Sequence, residues 1–148
     1  MEVYSTAVLS ADRPSSAIEG ARRLGADLEA RPLQDLSIRQ SSVTIGNFDG
    51  IHQGHRLLFS RAQELSESLE GPAVALTFAP HPARFFRPDG APALIDAPRQ
   101  KLARLAAAGF AATVVLPFDR DLAEMTPLGF AERILRERLG ARHVVVGR

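Results

Sequence analysis

The stretch Val43-Thr-Ile-Gly-Asn-Phe-Asp-Gly-Ile-His-Gln-Gly-His55 decides how the chain reads. Val43-Thr-Ile45 is a short β-branched run stopped by Gly46, the pattern of a buried strand. Between Arg56 and Glu70, Leu58, Ala62, Leu65 and Leu69 recur at three- and four-residue steps, so a helix opens at about Gln53-Gly54. Gly46 and Gly50 in the connecting turn permit positive φ and close backbone approach. A helix N-terminus offers unpaired N–H groups and the positive end of the helix dipole, which together favour phosphate. His52 and His55 flank that start, and Gly54 leaves the backbone open to a phosphate. Imidazole N–H donors matter most where negative charge builds up during phosphoryl or nucleotidyl transfer. Two other readings of the same residues stand beside this one. The histidines can be plain surface residues, or Asp49, His52 and His55 can form a three-ligand metal site, although the His-Glu-x-x-His spacing is absent.

Outward from this turn the alternation is regular. Gly71-Pro72 ends the helix, and Ala73-Val-Ala-Leu-Thr-Phe78 reads as a second strand stopped by Pro80 and Pro82. Residues 83–98 read as a long loop. Arg99 to Ala108 places Leu102 and Leu105 on one helical face, with Gly109 as its stop. Ala112-Thr-Val-Val-Leu116 is a third strand ended by Pro117. Thr126-Pro127 is an N-cap followed by proline at the first helical position, and the helix after it buries Phe130, Ile134 and Leu135 before stopping at Gly140. His143-Val-Val-Val146 is a fourth strand. Upstream, Ser16-Ala-Ile-Glu19 fits a capping box, with Ile18, Ala21, Leu24 and Leu28 at helical spacing, and the stretch from Pro32 to Ser42 reads as a connector.

Strand and helix alternating in this way predict an α/β fold with a parallel sheet. In such a sheet, ligands bind beyond the carboxyl ends of the strands. Phe78, Pro80, His81 and Pro82 fall at one such end, where they wall a pocket or simply terminate the strand. Phe85 and Phe86 face the same choice between touching a ligand and covering the core. The arginines 133, 136 and 138 are most simply a solvated face, and His143 is structural.

Composition narrows the function classes. The 148 residues suit one domain, and 45% apolar content is enough for a core. A net charge of +1 gives no reason to expect nucleic acid or an acidic membrane as partner. Without cysteine there are no disulfides, thiolate zinc sites or cysteine nucleophiles. No apolar run approaches the ~18–20 residues of a membrane span, and the start is not that of a secretory signal, so the expected location is the cytoplasm. Arginine and alanine are used heavily and lysine once, which reads as genome composition.

Residues Val43 to His55 closely resemble the first motif of the bacterial FAD synthetases, the flavin adenylyltransferase modules that usually precede a riboflavin kinase domain. The His-x-Gly-His core is shared with the wider nucleotidyltransferase superfamily; the Gly-Asn-Phe-Asp-Gly prefix is much more specific to the flavin branch. Thr77-Phe-Ala-Pro-His-Pro82 resembles that family's Thr-Phe-acid-Pro-His-Pro loop, with Ala79 where the acid usually stands. Lys101, Leu105 and Gly109 match a family helix and its stop, and Ala111 replaces a common Asp. Pro117-Phe118, Met125-Thr-Pro-Leu-Gly-Phe130 and Val144-Val-Val-Gly147 resemble its later segments.

The resemblance implies a Rossmann-like parallel sheet of the nucleotidyltransferase superfamily, incomplete at the C-terminus. It divides the chain into an N-terminal extension, 1–41, and a partial FMN adenylyltransferase domain, 42–148. The implied reaction moves AMP from ATP to the terminal phosphate of FMN, giving FAD and pyrophosphate, with Mg²⁺ and no covalent enzyme intermediate. Gly46, Asn47, Phe48, Asp49 and Gly54 would bind the nucleotide, and His52 and His55 would stabilise charge at the transferring phosphate. Asp49 would orient phosphate-bound Mg²⁺ or the acceptor, and Phe78, Pro80, His81 and Pro82 would border the flavin. The family's later Asp-Phe-x-Phe-Gly and Ser-Ser-Thr-x-x-Arg segments do not occur, so an isolated chain is expected to be weak or inactive. It is also expected to self-associate through an exposed edge at Val144–Val146. The rivals are a non-catalytic nucleotide- or flavin-binding remnant and a related nucleotidyltransferase with another acceptor.

Overall fold

A computed structural model describes residues 6–9, 29–32 and 38–147. The expected helix around Ser16–Leu28 lies outside the described residues. The strands are β1 (Thr6–Leu9), β2 (Glu29–Pro32), β3 (Ser41–Ile45), β4 (Ala73–Ala79), β5 (Ala112–Pro117) and β6 (Ala141–Val146). The helices are α1 (Gln53–Ser68), α2 (Pro82–Phe86), α3 (Pro98–Ala107), α4 (Arg120–Glu124) and α5 (Pro127–Phe130), the last running into a π-helical segment, Ala131–Arg138.

All six strands form one sheet in the order β2-β1-β5-β4-β3-β6. Every pair is parallel. The parallel α/β reading is therefore borne out. The sheet gains two strands, β1 and β2, from a region where the sequence offered no strand pattern. Because the strands are parallel, the carboxyl ends of β3, β4 and β5 meet along one edge of the sheet.

Side-chain alternation makes two cores, one on each face. On β4, Val74 and Leu76 point to one face, where they meet Val43, Val114, Leu116, Leu135 and Leu139. Ala73 and Ala75 point to the other, against Phe59 and Ala62 of α1, Leu105 of α3, and Phe48 and Phe110. Small alanines on that face let the two helices approach closely. Burying one large apolar side chain of this kind stabilises the fold by about 1.5–3 kcal/mol.

The structure corrects two local readings. Residues 83–98 are not one loop, since Pro82–Phe86 forms a helical turn whose N-cap is His81. The last helix departs from α geometry: Leu139 N–H donates to Ile134 O, five residues back, at 3.1 Å. The wider turn brings Phe130 and Ile134 half-buried against the core, with Leu135 and Leu139 fully buried in it. Its start follows expectation, with Thr126 Oγ1 accepting from Gly129 N and Pro127 at the first position.

Candidate active site

The turn after β3 is built around a buried ring. Phe48 lies in the left-handed region at φ 48, a costly conformation for a bulky residue. Full burial of its side chain offsets that cost. A Cβ on Gly46 would lie 2.7 Å from the Phe48 ring, so glycine there makes room for it. The ring of Phe48 is thus core and out of a ligand's reach. It meets His55 edge to face at 5.4 Å and Phe59 at 5.1 Å, which fixes His55 from below.

His52 is the N-cap of α1, and His55 follows in its first turn, which contains no acidic residue. Their rings stack, with centroids 3.8 Å apart and planes 24° apart. A Cβ on Gly54 would sit 3.1 Å from the His52 ring, so Gly54 permits this stack. His55 Nδ1 accepts the His52 backbone N–H at 3.5 Å, which assigns the His55 proton to Nε2, as an outward donor. Burial, and secondarily the neighbouring His52, holds the His55 pKa below the ordinary imidazole value. At neutral pH His55 is a neutral hydrogen-bond donor beside the N–H groups that open α1.

Asp49 faces elsewhere than expected. Its carboxylate accepts from Ile95 N at 3.0 Å and from Asp96 N at 2.9 Å. In return Gly50 N donates to the buried Asp96 carboxylate at 3.1 Å, and Arg104 lies 3.4 Å from that same carboxylate. Burial pushes the Asp49 pKa up. The N–H donors of Asp96 and Ile95 and the charges of Lys101 and His81 outweigh it, and the group stays below the usual carboxylate range. Asp49 therefore ties the loop before α3 to the turn after β3. Asp49, His52 and His55 do not converge as metal ligands, and no metal-binding cluster occurs among the described residues.

The second half of the site follows β4. His81 caps α2, its Nδ1 accepting from Ala83 N at 3.1 Å, which leaves Nε2–H free to donate. Phe78 meets Phe118 at 5.6 Å, and Phe118 in turn meets Phe85 and Phe86 at 5.7 Å. Phe85 and Phe86 remain exposed, Phe86 by 64%. Pro80 is exposed and Pro82 half-buried in the same loop.

Lys101 was not among the expected site residues. Its Nζ donates to Asn47 O at 3.1 Å, to Thr77 Oγ1 at 3.1 Å and to Phe78 O at 3.4 Å. Its sequence signals were its rarity, as the sole lysine of the chain, and its place in the segment that matches a family helix. Asp96 gave no signal, because Gly50 and Asp49, its hydrogen-bond partners in the turn after β3, lie 46 and 47 residues away.

The fold is a Rossmann-like parallel α/β sheet that carries a glycine turn, a helix start and two imidazoles at its carboxyl edge. The family model for FAD synthetase matches residues 35–148, and the chain belongs to the FAD synthetase family. A bifunctional riboflavin kinase/FMN adenylyltransferase of Pseudomonas fluorescens is 38% identical over 105 residues, 71% of this chain and 33% of that protein. The protein of the same description from Escherichia coli strain K12 is 37% identical over 105 residues, 71% of this chain and 34% of its own length. A putative one from Geobacillus thermodenitrificans is 34% identical over 114 residues, 77% of this chain and 61% of its own. The chain thus spans about a third of the first two relatives. The crystal structure of a macrolide-efflux protein from Streptococcus pneumoniae matches at TM-score 0.68 and 27% identity, covering 78% of this chain and 38% of that one.

Proposed function

We propose that this chain carries the FMN adenylyltransferase reaction. An FMN phosphate oxygen attacks the α-phosphorus of ATP in line. A P–O bond forms to FMN as the bond from the α-phosphorus to the leaving oxygen breaks, releasing pyrophosphate and FAD. The observation that carries the reading is the His52–His55 stack at the start of α1, on the same sheet edge as the exposed phenylalanines after β4.

In this reading the N–H groups at the start of α1 and the backbone of Gly46, Asn47 and Gly54 bind the ATP phosphates. His52 and His55 donate to the oxygens of the transferring and leaving phosphates, where charge grows in the transition state. Phe78, Pro80, His81 and Pro82 border the flavin, with Phe85 and Phe86 as the exposed aromatic surface for its ring. Mg²⁺ bound with ATP supplies charge neutralisation at the phosphates. Both Asp49 oxygens are turned onto backbone N–H groups, so this carboxylate does not fit a direct metal ligand here. Asp49 instead acts by shaping the cradle. The reaction belongs to 42–148, with 1–41 adding outer strands. No helix among the described residues is long and apolar enough to cross a membrane, and we place the activity in the cytoplasm, where ATP and FMN are available.

The test is binding and single-turnover chemistry. The chain is titrated calorimetrically with FMN and with ATP. It is then mixed in excess over FMN with ATP, and FAD and pyrophosphate are followed by chromatography. Saturable binding of both substrates with FAD formed is the expected result. Binding of ATP with transfer to a different phosphomonoester, and none to FMN, overturns the choice of acceptor.

A further inference from the structure

Lys101 joins three elements that the sequence keeps far apart. An ammonium has three protons, and here three acceptors meet them: Asn47 O, Thr77 Oγ1 and Phe78 O, at 3.1, 3.1 and 3.4 Å. Thr77 closes the triangle, its hydroxyl donating to Asn47 O at 3.1 Å while its oxygen accepts from Lys101. Asn47 lies in the turn that leads to the histidine pair, and Phe78 lies in the strand end that leads to His81 and Pro82. The amine itself comes from the first turns of α3, the helix that follows the loop tied to Asp49. Burial disfavours the charge on Lys101, and the carboxylates of Asp49 and Asp96 favour it. A half-buried cation is tolerated because its protons are met. Three acceptors converging on one point suit a compact ammonium, whereas a guanidinium presents its donors as a planar fork. In a chain that otherwise uses arginine, that convergence gives the lone lysine a physical reason.

We propose that Lys101 is a positioning residue for adenylyl transfer. It locks the phosphate-binding turn after β3 to the aromatic loop after β4, and so sets the separation at which ATP and the flavin phosphate meet. The proposal rests on the adenylyltransferase reading above. It makes Lys101 act through Asn47 and Phe78, without contact to either substrate.

The experiment uses the full chain and the variants Lys101→Met, Lys101→Arg and Thr77→Val. Amide hydrogen exchange of the ligand-free proteins is measured first. Calorimetry then gives the FMN affinity with and without α,β-methylene-ATP, which binds without transfer. In Lys101→Met, exchange is expected to quicken by ~10-fold or more in residues 46–50 and 78–82 together, with β5 unchanged. In the parent chain the ATP analogue is expected to shift FMN affinity about 5-fold or more, and in Lys101→Met that factor falls to about one. Thr77→Val, which removes one acceptor, falls between, and Lys101→Arg recovers part of the loss because charge returns without the convergent geometry. A Lys101→Met variant that loosens β5 as much as the two turns has lost general stability only, and overturns the proposal. So does an analogue effect equal in parent and variant, or absent from the parent. A parent chain that binds neither FMN nor the analogue overturns the adenylyltransferase reading, and the role in transfer with it. The exchange pattern then still decides whether Lys101 joins the two turns.

Discussion

His52 and His55 stack ring on ring, their centroids 3.8 Å apart. Burial first, and then the charge that His52 would bring to such a separation, hold the His55 pKa below the ordinary imidazole value. Phe48, packed edge-on at 5.4 Å beneath His55, keeps that ring from turning away. In the proposed reaction such a pair would offer held N–H donors to a phosphate, so that little has to reorganise when charge develops there.

His52→Ala and His55→Ala are each expected to lower single-turnover FAD formation by ~10²-fold or more, the scale of losing one transition-state donor. ATP affinity should change far less than the rate. Near-parental rates in both variants would remove the histidines from the chemistry.

The same burial gives a pH dependence of stability. His55 titrates below its ordinary value, about 6.5, so between the two values the unfolded chain binds more protons than the folded one. Stability from this group is complete above about pH 6.5 and is lost as the pH falls through that window to the folded value. Urea midpoints at pH 7.5 and pH 5.5 should differ less in His55→Gln than in the parent. Asp49, also held low, adds a further loss only below about pH 4.

Much of this architecture was legible because it is local. Val43–Ile45, the glycine turn and the leucines of α1 are neighbours in sequence, and a two- or 3.6-residue period exposes them. Pro82–Phe86 was hidden by the prolines around it and by a histidine N-cap, which is not one of the usual capping residues. The helix after Thr126 was legible from its cap and apolar spacing, but the π geometry of Ala131–Arg138 is invisible to a search at 3.6 residues per turn. The histidine pair could be read from the motif, but Asp49 was read toward a metal or the acceptor because its real partners, Ile95 and Asp96, lie 46 and 47 residues on. Lys101 likewise reaches across 54 residues to Asn47. Such contacts exist only once the sheet has assembled.

The exposed phenylalanines separate flavin binding from folding. Phe86 is 64% exposed, so Phe86→Ala is expected to leave the thermal midpoint almost unchanged. Loss of one aromatic contact of about 0.5–1.5 kcal/mol should weaken FMN binding roughly 2- to 10-fold, with ATP binding little affected. Phe78→Ala should weaken FMN too, with some loss of stability because Phe78 packs on the core. Calorimetry that finds equal losses for both ligands in Phe86→Ala would take the aromatic loop out of the flavin site.

Gly50 combines two constraints. Its φ is +62, and a Cβ there would lie 2.8 Å from Ile95. Gly50→Ala should therefore destabilise by about 1–2 kcal/mol, lowering the thermal midpoint by roughly 3–8 °C. Adding Ile95→Ala, at a side chain 73% exposed, should relieve the clash and leave the backbone part. A double variant no more stable than Gly50→Ala alone would show that Ile95 simply moves aside.

The outer strand β6 makes the last prediction. It pairs with β3 on one side and, among the described residues, with no strand on the other. Val144 and Val146 are exposed by 45% and 60%, and Arg142 is the nearby charge. An open edge with apolar side chains is a template for pairing with another chain. We expect concentration-dependent self-association, seen by light scattering on size-exclusion fractions over the micromolar to millimolar range in which such edges associate. Val146→Lys should shift the equilibrium toward monomer by placing a charge on the edge. Leu57→Lys serves as the control, since Leu57 is 74% exposed but lies on the helix α1 and not on the open edge of the sheet. If both substitutions reduce association equally, general surface hydrophobicity drives it; if only Val146→Lys does, the contact is the edge of the sheet.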